Sequence, residues 1–182
     1  MTGKTHDKVT SSGMVILREV RESDLLSIFE WLNDYELRIS SAMYRPVSWP
    51  EHVKWITNRL ENGSETFFVI ALEDRPIGVI NLSSIDHLNK SADFSIRIGK
   101  LSDQGKGFGT QAVRLLIEFC WRDLNLHRLS LTVFSDNQRA INSYKKAGFE
   151  FEGELREAAF ISGRWRNLTI MSILQSNGQS SS

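Results

Sequence analysis

Three glycines fall within five residues in Asp103-Gln104-Gly105-Lys106-Gly107-Phe108-Gly109-Thr110. The stretch lies between a strand-like run, Ala92 to Ile98, and an amphipathic helix pattern from Thr110 to Leu124. Glycines at a strand-to-helix handover let the backbone turn tightly and approach a ligand closely. The first amides of a helix lack internal acceptors, and the helix dipole adds partial positive charge there. That combination reads as an anion site, of the kind most often used for phosphate.

Two familiar phosphate loops do not fit. A P-loop needs Gly, four residues, then Gly-Lys-Ser/Thr, whereas Gly107 is followed by Phe108-Gly109-Thr110. A dinucleotide fingerprint needs a parallel βαβ unit and its own glycine spacing, which Gly105-Lys106-Gly107 lacks. The histidines His6, His52, His87 and His127 are scattered singly, so no metal cluster is expected. Cys120, the one cysteine, falls on the apolar side of a helix pattern and reads as a buried structural thiol. Lys+Arg and Asp+Glu are both 22, a balance that gives no electrostatic case for nucleic acid or an anionic membrane. No apolar run approaches the roughly 20 residues of a membrane span, and a cytoplasmic location is the default expectation.

The elements that must position the loop follow from the pattern. Residues 1–13 are polar and read as a flexible arm, 14–174 as one domain, and 175–182 as a disordered polar tail. Met14 to Arg18 reads as a first strand. Ser23 is placed to cap a helix carrying Leu25, Leu26, Ile28, Phe29 and Leu32. Tyr35 to Val47 reads as irregular. Ser48-Trp49-Pro50-Glu51 is a capping box opening a second helix to about Leu60. Strands follow at Thr66–Leu72 and Ile77–Ile85, a hairpin, and at Ser91–Ile98, where Asp93, Ser95 and Arg97 share one face. After the loop and its helix, Arg128–Phe134 alternates as a strand. Asn137 can cap a helix over Gln138–Ala147, which Gly148 stops. Two strands joined at Ser162-Gly163 end the domain. The order predicts an α/β (α+β) fold: a mixed, mostly antiparallel sheet of about seven strands with about four helices.

Gln104-x-x-Gly107-x-Gly109 after a strand, then Asn137-Gln138-Arg139-Ala140, Tyr144 and Gly148-Phe149, closely resembles the GNAT superfamily of acetyl-CoA-dependent N-acetyltransferases. Leu17-Arg18, Ser23-Asp24-Leu25, Arg75-Pro76-Ile77-Gly78, Glu152-Gly153 and Leu155-Arg156 extend the resemblance over nearly the whole domain. It is strongest to the branch of ribosomal-protein (Rim-type) and amino-sugar acetyltransferases. The resemblance implies acetyl-CoA as donor and no metal. It implies a CoA pyrophosphate on Gln104, Gly105, Gly107, Phe108, Gly109 and Thr110, with Lys106 at the rim. The strand before the loop splays from the next in this family, so the backbone of Ser95 through Ile98, including Ile96 and Ile98, would bond the pantetheine arm, as would Asn137. Tyr144 matches the tyrosine that protonates the departing thiolate, and Asp93 stands where many relatives carry a glutamate base. The shorter Asp93 would work through a water, with Asp34, Glu36 and His87 as rivals.

The implied acceptor is a primary amine, with an amino sugar linked to a nucleotide preferred and the α-amine of a ribosomal protein second. Arg38, Arg45 and Arg97 would suit a diphosphate. A homodimer is the oligomer the resemblance allows. Trp31, Trp49 and Trp55 read better as helix packing than as an acceptor wall. Asn167 stands where the branch usually has aspartate.

Overall fold

In the computed structural model of the protein, residues 15–40, 45–62 and 66–176 are described. The N-terminal arm, Met14 of the expected first strand, and the tail beyond residue 176 lie outside them. The strands are β1 (Ile16–Arg18), β2 (Thr66–Leu72), β3 (Arg75–Asp86), β4 (Ser91–Ile98), β5 (Arg128–Phe134), β6 (Glu150–Ile161) and β7 (Arg164–Leu174). The helices are α1 (Leu25–Asn33), α2 (Tyr35–Ser40), α3 (Trp49–Asn62), α4 (Phe108–Arg122) and α5 (Gln138–Ala147). One sheet runs in the order β1-β2-β3-β4-β5-β7-β6. All its pairings are antiparallel except β4 with β5.

That parallel pairing is brief. It joins Ser91 to Arg128, Ala92 to Leu129 and Asp93 to Ser130. Beyond Asp93 the strands part, while β4 stays paired to β3 through Ile98 and β5 to β7 through Phe134. Each face of the sheet has its own core. One gathers Leu116 and Cys120 of α4, Ile141 of α5, and Phe94, Leu129 and Met171 of the sheet. The other gathers Ile28, Trp31 and Leu32 of α1, Leu37 of α2, Ile56 of α3, and Phe67, Val69 and Val79.

Local signals in the chain explain most boundaries. Ser48 and Glu51 form the expected reciprocal cap of α3: the Ser48 N–H donates to Glu51 Oε2 at 3.0 Å and the Glu51 N–H to Ser48 Oγ at 3.4 Å. Asn137 caps α5 by accepting from the Ala140 N–H at 3.1 Å, and Gly148 ends it in the left-handed region.

Two expectations need correcting. The segment after α1 is not wholly irregular. Asp34 accepts the Leu37 N–H at 3.0 Å and starts α2, a helix whose six residues are too few to show a convincing period. Ser23 does not cap α1 either; it lies inside a 3₁₀ turn, Glu22–Asp24. Asp24 organises that turn by accepting the Arg21 N–H at 2.8 Å and two N–H bonds from Arg18 at 2.6 and 2.9 Å.

Arg18 and Asp24 are both buried. Burial alone would raise the Asp24 pKa, but the bonds from Arg18 and Arg21 outweigh it and hold the carboxyl below its ordinary value. A depressed pKa stabilises the fold above the unfolded value of about 3.9, and the contribution is lost as pH falls through the folded value. Asp24→Asn is expected to lower stability by about 3 kcal/mol in denaturant titrations at pH 7. The difference from the parent should shrink below about pH 4, where the unfolded carboxyl takes up its proton.

Candidate functional site

The parting of β4 from β5 opens a cavity of about 1180 Å³. Its walls include Ile96 and Ile98 of β4, Thr132 and Phe134 of β5, the turn after β4, and α5. Chain geometry at the turn matches the chemistry expected of it. Gly105 has φ +74° and Gly107 φ +85°, conformations that a side chain disfavours. Gly107 stands at the N-cap of α4, where no side chain caps the helix. The first-turn amides are thus left for an acceptor from outside the helix, and Gly109 and Thr110 line the cavity.

Two contacts brace this loop from behind. Asp103 is buried and accepts two bonds from Arg75 of the β2–β3 hairpin, at 2.8 and 3.0 Å. The Arg75 bonds hold its carboxyl below the ordinary range. Gln104 Nε2 donates to the Ile98 carbonyl at 3.2 Å, and its Oε1 is buried without a protein partner. On the other side Gly99 lies under the Trp31 ring, where a Cβ would come within 2.1 Å of the indole. Trp31 is therefore core, as expected. Trp49 packs edge-on against Phe29, and Trp55 lines the cavity.

Of the residues singled out from sequence, Ile96, Ile98, Gln104, Gly105, Gly107, Gly109, Thr110, Asn137 and Tyr144 all line this one cavity. Phe108 and Lys106 do not. The Phe108 side chain is buried in the core, which leaves only its backbone for a ligand, and Lys106 is exposed on the loop. Tyr144 meets Phe94 edge-on, with ring centroids 5.9 Å apart. Burial disfavours its phenolate and pushes its pKa up to about 12. The hydroxyl accordingly carries its proton throughout the neutral range, as an acid must.

Asp93 sits at the last rung before the strands part and is exposed, accepting from Ser130 Oγ at 2.6 Å. It is outside the lining, as are Asp34, Glu36 and His87. Arg45 and Arg97 line the cavity, whereas Arg38 is off it, against the Tyr35 ring. Asn167 has a structural account. Its Oδ1 accepts the Glu157 N–H at 2.8 Å and its Nδ2 donates to Glu154 at 2.9 Å, across the irregular stretch of β6. An aspartate could keep the first bond but would repel Glu154.

His52 was missed. It is fully buried on α3, lines the cavity, and has Nε2 2.9 Å from the Leu25 carbonyl. A carbonyl only accepts, so Nε2 carries the proton and Nδ1 holds a bare lone pair with no protein partner. Burial lowers its pKa, which favours that neutral form. The signal was the spacing of His52 with Trp49 and Ile56, three and four residues away, on the inward stripe of α3.

Among the described residues no group of His, Cys, Asp or Glu could hold a metal ion, and no helix is long and apolar enough to cross a membrane.

A sheet split beside an uncapped, glycine-rich helix start is the frame of an acetyltransferase. The chain belongs to the acetyltransferase (GNAT) domain family, whose model matches residues 14–150. It is 38% identical to spermidine N(1)-acetyltransferase of Escherichia coli (strain K12) over 116 residues, 64% of this chain and 62% of that protein. The match thus spans less than two thirds of the curated relative's length. It is 30% identical to an aminoglycoside N(6')-acetyltransferase type 1 of Klebsiella pneumoniae over 155 residues, 79% of this chain and 77% of that one. The structure resembles that of spermidine N-acetyltransferase from Vibrio cholerae in complex with CoA and spermine, with TM-score 0.85 and 29% identity over 90% of this chain and 97% of that one. The superfamily is thus as expected. Within it, the spermidine acetyltransferases carry neither the ribosomal-protein nor the amino-sugar names of the expected branch.

Cys120 is buried in the core, and burial raises its pKa to about 12. Iodoacetamide should leave it unlabelled in the native protein and label it fully in denaturant, as read by mass spectrometry. Rapid native labelling would contradict the packing described for α4.

Proposed function

We propose that this chain transfers the acetyl group of acetyl-CoA to a primary amine of a small molecule, by direct attack within a ternary complex. The observation that carries the reading is the parting of β4 from β5 directly beside the uncapped start of α4. Backbone groups on the free edges of β4 and β5 lack strand partners, and such groups need them. A pantetheine arm, with amides spaced along a chain, can pair with that edge as a strand would. Its pyrophosphate would then meet the amides of residues 104–110, and its thioester would lie toward Tyr144.

In the reaction the amine nitrogen bonds to the thioester carbonyl carbon, and the carbon–sulfur bond breaks. Tyr144 gives its proton to the departing thiolate. The amine loses a proton through water to Asp93, and solvent returns one to the phenolate. His52, neutral with a bare Nδ1, is a second candidate for that proton or for orienting the acceptor. A covalent acetyl-enzyme has no support, because Cys120 is buried away from the cavity.

Tyr144→Phe should lower kcat by about 10²-fold or more, the usual scale for a lost general acid. The KM for acetyl-CoA should change little. With a phenol that titrates near 12, kcat should rise with pH as the amine deprotonates and show no Tyr144-dependent fall below about pH 10. Unchanged kcat in Tyr144→Phe would remove Tyr144 from the mechanism.

For the acceptor we put polyamines first, on the names of the relatives. The second reading is an amine bearing an anionic group, such as a nucleotide-linked amino sugar. Arg45 and Arg97 on the cavity wall favour it, since cations there oppose a polycation. An acceptor panel decides. Turnover of spermidine supports the first reading, and turnover only of anionic amines the second. Turnover of neither, with N-terminal peptides accepted, would overturn both. Assembly into homo-oligomers is also proposed, a relative from Vibrio cholerae being described as dodecameric.

A further inference from the structure

The cavity has few partners to offer a polycation. Among the described residues, the carboxylates lining it are Glu51 and Asp103. Asp103 is bound by Arg75, and Glu51 caps α3 and meets Arg45. Arg45, Arg59 and Arg97 add positive charge to the same wall. On the side of α3, the electron-rich surface left for a cation is aromatic.

Trp55 and Phe67, both in the lining, form a corner there. Their rings stand nearly perpendicular, at 85°, with centroids 5.6 Å apart. Phe67 is buried on β2, paired with Asn81 of β3, and fixes one wall. Trp55 stacks on the ring of the buried His52, with centroids 6.4 Å apart, and is itself 37% exposed. The indole is thus held in place and still reachable.

The corner already holds a cation. Arg59, one turn beyond Trp55 on α3, places its guanidinium carbon 4.4 Å from the Trp55 centroid and 5.6 Å from that of Phe67. A cation at such distances is attracted by the negative face of each ring. That attraction does not depend on which group carries the charge, so an alkylammonium suits the corner as a guanidinium does. Arg59 is half-buried in the last turn of α3, and its long stem lets the head group move out to water. Arg59 therefore both shows what the corner binds and fills it.

We propose that the Trp55–Phe67 corner is the subsite for a non-reacting ammonium of a polyamine acceptor, and that Arg59 competes for it from within the chain. Arg59 is then a specificity-determining residue: it occupies the rings and its charge repels a second ammonium. This subsite rests on the polyamine reading above. A polyamine meets the arginine-lined wall by displacing one arginine from its rings, not by pairing with a carboxylate. An acceptor with one amine and a neutral tail gains no cation contact in the corner and is little affected by Arg59.

The test is calorimetric binding of spermidine and of ω-aminooctanol, an amine of similar reach with one charge, to the CoA-saturated protein. The parent is compared with Arg59→Leu and with the double variant Arg59→Leu/Trp55→Leu. Arg59→Leu should bind spermidine about tenfold more tightly than the parent, the scale of one cation–π contact. Its affinity for ω-aminooctanol should move by less than about threefold on the same scale. Adding Trp55→Leu should return spermidine binding to within about threefold of the parent, since the two residues share one contact. CoA binding checks the fold of each variant, because neither residue belongs to the proposed donor site. Unchanged spermidine affinity in Arg59→Leu, or a gain that survives the loss of Trp55, would overturn the subsite; if the parent still acetylates spermidine, the polyamine reading stands. CoA bound by all three proteins and spermidine by none would overturn both the subsite and the polyamine reading.

Discussion

The structure depends on a pairing that stops early. β4 and β5 share three rungs of parallel ladder and then separate, although each remains held on its other side. An unpaired strand edge in a sheet interior is costly unless something satisfies its backbone groups. The fold keeps the gap open from both faces. α4 and α5 support it on one side through Phe94, Leu116 and Ile141, and α1 and α3 wall it on the other through Ile28, Trp31 and Ile56. Because each helix layer has its own core, the gap does not close by collapse.

The loop at one end of the gap depends on the same arrangement. Left-handed φ at Gly105 and Gly107 turns the chain sharply after β4, and Asp103 pins the turn to the β2–β3 hairpin through Arg75. The amides of α4 thus face the cavity because β3, reached through the hairpin, is itself anchored to β4. Tyr144 is placed from the other direction, by α5. That helix begins at Asn137 and ends at Gly148, so its length and phase set which of its residues face the gap. The proposed anion site and the proposed acid are held by different elements, and the gap between β4 and β5 is where they meet.

The comparisons sharpen the donor side more than the acceptor side. Relatives with polyamine and aminoglycoside names share the family frame, and the cavity wall on the side of α1 and α3 carries Arg45, His52 and Trp55, with Arg97 of β4. A shared frame does not by itself fix the acceptor.

The sequence by itself determined what is local. Glycine spacing marked the proposed anion loop, Ser48 with Glu51 and Asn137 with Gly148 marked the ends of helices, and alternation marked β4 and β5. Each of these depends on neighbours a few residues apart, so each is written in the order of the chain. The site residues named from the resemblance were largely those that line the cavity, because a motif in order carries its fold with it. Only the tertiary structure decided what depends on distant contacts. Asp24 rather than Ser23 organises the first turn because Arg18 is buried against it. Asp93 falls one rung short of the cavity because the strands part just beyond it, a choice of ladder length that no pattern within β4 records. His52 read as an isolated histidine, since the bond that fixes its tautomer comes from Leu25, on another helix and 27 residues away.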